Sequence, residues 1–313
     1  MIMDLPNAAG GMLLSGVVEV RRVAVVVLVA LLAGCSGERG GPAPVASPAP
    51  TAVPGLSADL VQQRADVEVG RIQVEQALDE GAAPLDVAGL QLRSEAFPAA
   101  AATGPAAAGV QVAAGSAVDV AVVLGAPAAC SPQEQRDPSG EGAPPLPATA
   151  VLALGDGSTA TAALPDAHRY LARAHAEACT GAAAAAVVPA RWDPTWTTTG
   201  SGADLRATGV LHLGPVAPGG AAVLEGIRST PLFHWRLPGG PVRLAAGESV
   251  DVAVVLDPAR CDAHALADDK RGFGPQLVLS LDGAPAVPVR LWVPREDRAV
   301  AADALVSACA QRR

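Results

Sequence analysis

The sequence predicts a mainly-β chain of two tandem β-sandwich copies, each closed by a short C-terminal helix. Three observations carry this reading. The heptapeptide VDVAVVL occurs twice, at Val118–Leu124 and Val250–Leu256. It alternates: Val118, Val120, Val122 and Leu124 share one face, while Asp119, Ala121 and Val123 share the other, as a half-buried strand requires. Each copy also precedes a cysteine pair of nearly equal spacing, Cys130 with Cys179 (49 positions) and Cys261 with Cys309 (48 positions).

The duplication extends through the flanks. AAGSAVDVAVVL (Ala113–Leu124) and AAGESVDVAVVL (Ala245–Leu256) agree at ten of twelve positions. Upstream, LQLRSEAF (Leu90–Phe97) matches LEGIRSTPLF (Leu224–Phe233) through the shared Arg-Ser. Downstream, VLALGDGSTATAALP (Val151–Pro165) echoes VLSLDGAPAVPVRLWVP (Val278–Pro294), and an Ala-rich segment then leads to the second cysteine.

Taken in order, Val67-Glu68-Val69, Ile72-Gln73-Val74 and Val210–Leu213 supply early strands. The Ala-Gly before each heptapeptide forms a turn, and Gly157 and Gly283, each after an Asp, mark hairpins. HRYLARAHAEAC and REDRAVAADALVSAC, rich in Ala and Leu after a proline, predict the closing helices. GAAAAAVVPA then reads as linker-like, and the copies span residues 57–182 and 183–313. VRLAAGESVDVAVVL resembles the strand, Gly-Ser turn, strand signature of immunoglobulin-like bacterial domains, which implies that kind of sandwich for each copy.

The N-terminus carries an address. Arg21-Arg22 precedes an eleven-residue apolar run, Val23–Ala33, too short for the ~20 residues of a bilayer span but suited to a signal peptide. The run ends in Leu32-Ala33-Gly34-Cys35, which resembles the lipobox of bacterial lipoproteins. That resemblance implies cleavage after residue 34 and lipidation of Cys35. It also places the protein on the extracytoplasmic face of the cell membrane, where two acyl chains anchor durably. Residues 1–19 sit awkwardly before such a signal, so a translation start near residue 20 is expected, with general secretion as the route. Residues 35–56, dominated by Gly, Pro, Ala and Ser, form a disordered tether.

Five cysteines, with Cys35 lipidated, leave four, which allow three pairings. The matched spacings make Cys130–Cys179 and Cys261–Cys309 the simplest choice, each worth about 4 kcal/mol in the chain-entropy picture. The apolar half of the chain is mostly Ala and Val, and only 3% is aromatic, so this core gains less burial energy per residue than one of Leu and Phe.

The net charge of −9 and the lack of any Lys/Arg block with interleaved aromatics give nucleic-acid binding no support. Metalloprotease HExxH, P-loop, GxSxG and GxGxxG motifs are missing, and no cofactor or metal is expected. His168, His175 and Cys179 share a helical face, but a metal site there needs a free Cys179, which the disulfide opposes. Cys261 and His264 have ligand spacing that the first copy does not keep. The copies differ most after their first cysteine. SPQEQRDPSGEGAPPLP in the first looks flexible and solvated, whereas the second holds His264, Asp268, Asp269, Lys270, Arg271 and Phe273 close together. That loop is the candidate binding surface. Trp192, Trp196, Trp235 and Trp292 all fall in the second copy, where burial is expected.

The expected function is therefore a non-enzymatic binding or scaffolding lipoprotein of the cell envelope, with an envelope protein or glycan as partner. The alternatives are a small-ligand or metal carrier and an envelope hydrolase without a recognisable motif.

Overall fold

Strands in the first copy are β1 (Leu56–Val61), β2 (Arg71–Leu78), β3 (Leu85–Arg93), β4 (Ala101–Thr103), β5 (Val110–Val112), β6 (Ala117–Val123), β7 (Ala148–Leu154) and β8 (Thr159–Leu164). A short helix, α1 (Arg64–Glu68), lies between β1 and β2, and a long one, α2 (Tyr170–Val187), follows β8. The second copy holds β9 (Ala190–Trp192), β10 (Thr197–Thr199), β11 (Arg206–Leu213), β12 (Ala221–Arg228), β13 (Phe233–Arg236) and β14 (Val242–Ala245). It continues with β15 (Val250–Pro258), β16 (Gln276–Leu281), β17 (Val287–Arg290) and helix α3 (Ala299–Gln311). This computed structural model describes residues 50–311 apart from 141, 263 and 266–270. The expected leader, lipobox with Cys35, and tether through residue 49 lie outside the described residues.

Among the described residues the strands form four antiparallel sheets, two per copy, in repeated order. The first copy has β1-β2-β6-β4 and β5-β3-β7-β8; the second has β10-β11-β15-β13, with β9 also on β11, and β14-β12-β16-β17. Both copies of VDVAVVL thus occupy the same slot, β6 and β15. Even an irregularity repeats. The β3/β7 register shifts between Val87 and Gly89, and the β12/β16 register shifts between Leu224 and Gly226. The bulge interrupts the same strand pair in each copy, two positions farther from the shared Arg-Ser in the first than in the second.

Alternation sets the packing. Val120 and Val122 in β6, and Val252, Val254 and Leu256 in β15, are buried, while Asp119 and Asp251 face out. In the first copy both sheets contribute to one core: Ile72, Val74 and Val122 from one, Val87, Leu92 and Leu152 from the other. This is how a β-sandwich packs. The second core has the same plan plus Trp192, Trp196, Trp235 and Phe233, with ring centroids 5.4–6.3 Å apart. Gly209 is what lets Trp196 lie on β11, because a Cβ there would come within 2.6 Å of the indole. Gly157 and Gly283 turn the β7–β8 and β16–β17 hairpins at positive φ, as expected from Asp-Gly.

Two bonds close the copies: Cys130–Cys179 (Cα–Cα 5.6 Å) and Cys261–Cys309 (Cα–Cα 5.2 Å). Each ties the loop beyond the repeated strand to the closing helix.

Two local readings change. Val67-Glu68-Val69 is not a strand: Val67 and Glu68 end helix α1. The carboxylate of Asp66 drives this, since it accepts the Gln63 N–H at 3.0 Å and caps the turn. It is fully buried and also accepts Arg71 Nε at 2.6 Å and Gln73 Nε2 at 2.9 Å. Second, most of GAAAAAVVPA is no linker. Alanine is the best helix former, and α2 runs through the segment to Val187. The expected boundary at 182/183 falls inside this helix. Leu171 packs in the first core, whereas Ala184 and Val188 belong to the second. Ala217 N–H donates to Val187 O at 2.8 Å, fixing the helix end to the second copy. Pro48–Arg313 is accordingly one compact unit.

Candidate functional site

The seam between the copies is fastened by two carboxylates of the first and arginines of the second. Glu68, at the end of α1, accepts Arg295 Nε at 2.7 Å and Arg298 Nη1 at 2.8 Å. Burial alone would raise the Glu68 pKa, but the hydrogen bonds from Arg298 and Arg295 outweigh it and hold the carboxyl below its ordinary 4.5. Glu177, on α2, accepts Arg290 Nε and lies 3.8 Å from Arg271 Nη2. The Arg290 side chain is only 7% exposed, and its guanidinium stacks on Trp292 with 5.6 Å to the ring centroid.

Beside this second fastening opens a cleft of about 440 Å³ lined by Arg136, Arg173, Arg228, Arg271 and Arg290, together with Asp137, Glu177 and Gln276. Three of these form a row across neighbouring strands. Arg228 of β12 is in register with Gln276 of β16, and Gln276 with Arg290 of β17. Register partners share a face, so two guanidinium stems rise about 10 Å apart with an amide between them. The first copy puts Arg93, Thr149 and Ala163 in the corresponding row. The larger groove there, about 590 Å³, has a single arginine, Arg93, offset by Glu95.

The fourth wall is the loop after Cys130, which the sequence suggested to be flexible and solvated. It is pinned to α2 instead. Glu134 accepts the Ser131 N–H at 2.7 Å and lies 3.0 Å from His175 Nδ1, while Thr180 Oγ1 donates to Glu134 O at 2.6 Å. Burial pushes the Glu134 carboxyl up, yet the bonds from Ser131 and His175 bring it below its ordinary value. Gly140, at φ +59°, lets the loop touch the helix, since a Cβ would approach the Arg173 Cα to 3.1 Å. Arg136, on this loop, and Arg173, on α2, both line the cleft. The Asp137 carboxylate is occupied locally, accepting Ser139 N–H at 3.0 Å and Ser139 Oγ–H at 2.6 Å. Arg136 and Arg228 make no ion pair among the described residues.

Of the expected binding loop, Arg271 reaches this cleft. Phe273 is half-buried and turned inward, its ring 5.1 Å from that of Phe233 and covered by the Arg298 guanidinium. His264 is exposed. Asp268, Asp269 and Lys270 lie outside the described residues. His175 does share a helix face with Cys179, and the Cys130, Cys179 and His175 ligand atoms lie within 4.8 Å of one another. The two sulfurs are bonded to each other, however, so neither is a thiolate ligand. No helix among the described residues is long and apolar enough to cross a membrane.

No family model matches the chain, and no curated protein sequence does. Among solved structures, the YadV chaperone is 11% identical, with 76% of this chain and 98% of that chain covered, at a TM-score of 0.21. A protein of unknown function from Porphyromonas gingivalis W83 is 12% identical over 75% of this chain and 94% of that chain, TM-score 0.18. The Yersinia pseudotuberculosis adhesin InvE is 12% identical over 76% of this chain and 57% of that chain, TM-score 0.17. Scores this low carry no argument about fold or role.

Proposed function

We propose that the protein is an exported, lipid-anchored, non-enzymatic binding module of the cell envelope, built on two tandem immunoglobulin-like β-sandwich domains. In this reading Cys35 carries the lipid, the residues between it and Thr51 act as the tether, and residues 57–182 and 183–313 derive from the two domains. The tether ends there because Thr51 N–H already donates to Thr159 O at 2.7 Å, and Val53 and Leu56 pack on the first core. The observation that carries the binding role is the arginine-lined cleft at the seam. Guanidinium groups stay protonated at every physiological pH, so they hold charge and do not shuttle protons. The carboxylates beside them are committed to ion pairs or to local hydrogen bonds. Such a lining suits retention of a ligand better than acid–base chemistry.

The anchor and the partner are tested together in the native envelope. The wild-type protein should fractionate with membranes and carry added lipid mass on Cys35, and crosslinking should capture an envelope protein or glycan. Cys35→Ala should release the protein into the aqueous fraction. A variant that stays membrane-bound with unchanged mass would sink the anchor.

A further inference from the structure

We infer that the seam cleft is a binding site for a small oxyanion carrying at least two negative charges, of the phosphate-ester or polycarboxylate type. The inference rests on the binding-module reading and narrows its ligand. Five arginines face two carboxylates in the lining, in a chain whose overall charge is −9. The concentration of positive charge therefore runs against the composition. Clustered guanidinium groups repel one another and become favourable around an anion.

The geometry is built, not incidental. Arg290 is held almost fully buried by Glu177 and Trp292, so its position is set from behind. Arg228 and Gln276 extend the row on adjacent strands, and Arg136 approaches from a loop pinned by a disulfide, by Glu134 and by the close contact at Gly140. Arg136, Arg228 and Gln276 thus bring donors from three separate elements onto one space, while Arg290, whose Nε and Nη1 donate to Glu177 and to Gly274 O, adds fixed positive charge behind them. Forked guanidinium donors pair bidentately with phosphate and carboxylate oxygens. The volume is that of a small-molecule pocket, and Pro138 and Pro288 leave little apolar wall for a hydrophobic ligand. Duplication supplies an internal control. The equivalent row of the first copy, Arg93, Thr149 and Ala163, has lost or never gained the second arginine.

The test is titration calorimetry on the soluble chain lacking its leader and tether, with inorganic pyrophosphate, citrate and acetate in separate arms. Pyrophosphate or citrate should bind saturably at one site, and the affinity should fall as salt rises. Preference between those two arms separates a phosphate source from a carboxylate source. The double variant Arg136→Gln/Arg228→Gln, at two exposed positions, should keep the wild-type melting temperature and bind the same anion at least ten-fold more weakly. Three results would overturn the site: no saturable binding of either polyanion, equal affinity for acetate, or unchanged affinity in the double variant. Capture of an envelope partner in the previous experiment is independent of all three, so the ligand class can fail while the binding module stands.

Discussion

Gln76 and Asp166 are both buried polar side chains, and they show opposite solutions to the same cost. Asp166 accepts N–H groups from Leu171 and Ala172 at 3.1 Å and from Leu146 at 3.2 Å, satisfying donors that the start of α2 would leave orphaned. Gln76 points with Ile72, Val74 and Leu78 toward the first core, where neither its oxygen nor its nitrogen finds a partner among the described residues. A buried amide left unsatisfied costs about 1–3 kcal/mol. Gln76→Leu is therefore expected to stabilise the protein by up to about 2 kcal/mol, read as a higher urea midpoint. A lower midpoint would show that the amide has a role that packing does not reveal. The alternation of β2 puts Gln76 on the inward face with Ile72, Val74 and Leu78, but a one-dimensional pattern does not show that its amide lacks a partner there.

At the level of elements, His212 joins three strands. Its ring on β11 lies against Asp251 of β15 through Nδ1 and 3.2 Å from Asp193, just beyond β9, through Nε2. The hydrogen bonds to Asp251 and then Asp193 raise its pKa above the ordinary 6.5. A raised folded pKa means that the clamp is fully present below pH 6.5 and is lost as pH rises through the folded value. In an NMR titration the His212 ring should therefore show a midpoint above 6.5, and Asp251→Asn should move it down. A midpoint at or below 6.5 in the wild type would refute the clamp. Strands, hairpins and disulfides were legible in the sequence because alternation, Asp-Gly turns and cysteine spacing are local or arithmetical. The extent of α2 was not, since an alanine run is compositionally both a helix and a linker. The cleft was still less visible. Its arginines lie between positions 136 and 290, and only the register of β12, β16 and β17 and the packing of α2 bring them together.

Across the whole molecule, the Glu68 fork is the fastening most open to test. Its carboxyl is depressed below 4.5, so its contribution is complete above that pH and disappears as pH falls through the folded value. Glu68→Gln should cost about 1–3 kcal/mol, and small-angle scattering should show a larger radius with the β signal in circular dichroism retained. A variant with wild-type radius and stability would leave the seam to other contacts. Duplication ordinarily gives two beads on a string, each able to be lost, swapped or cut away. Helix α2 removes that freedom, because its first turns complete one core and its last turn the other. Any cut that frees one copy strips apolar residues from its neighbour, so selection acts on the pair as a single heritable object.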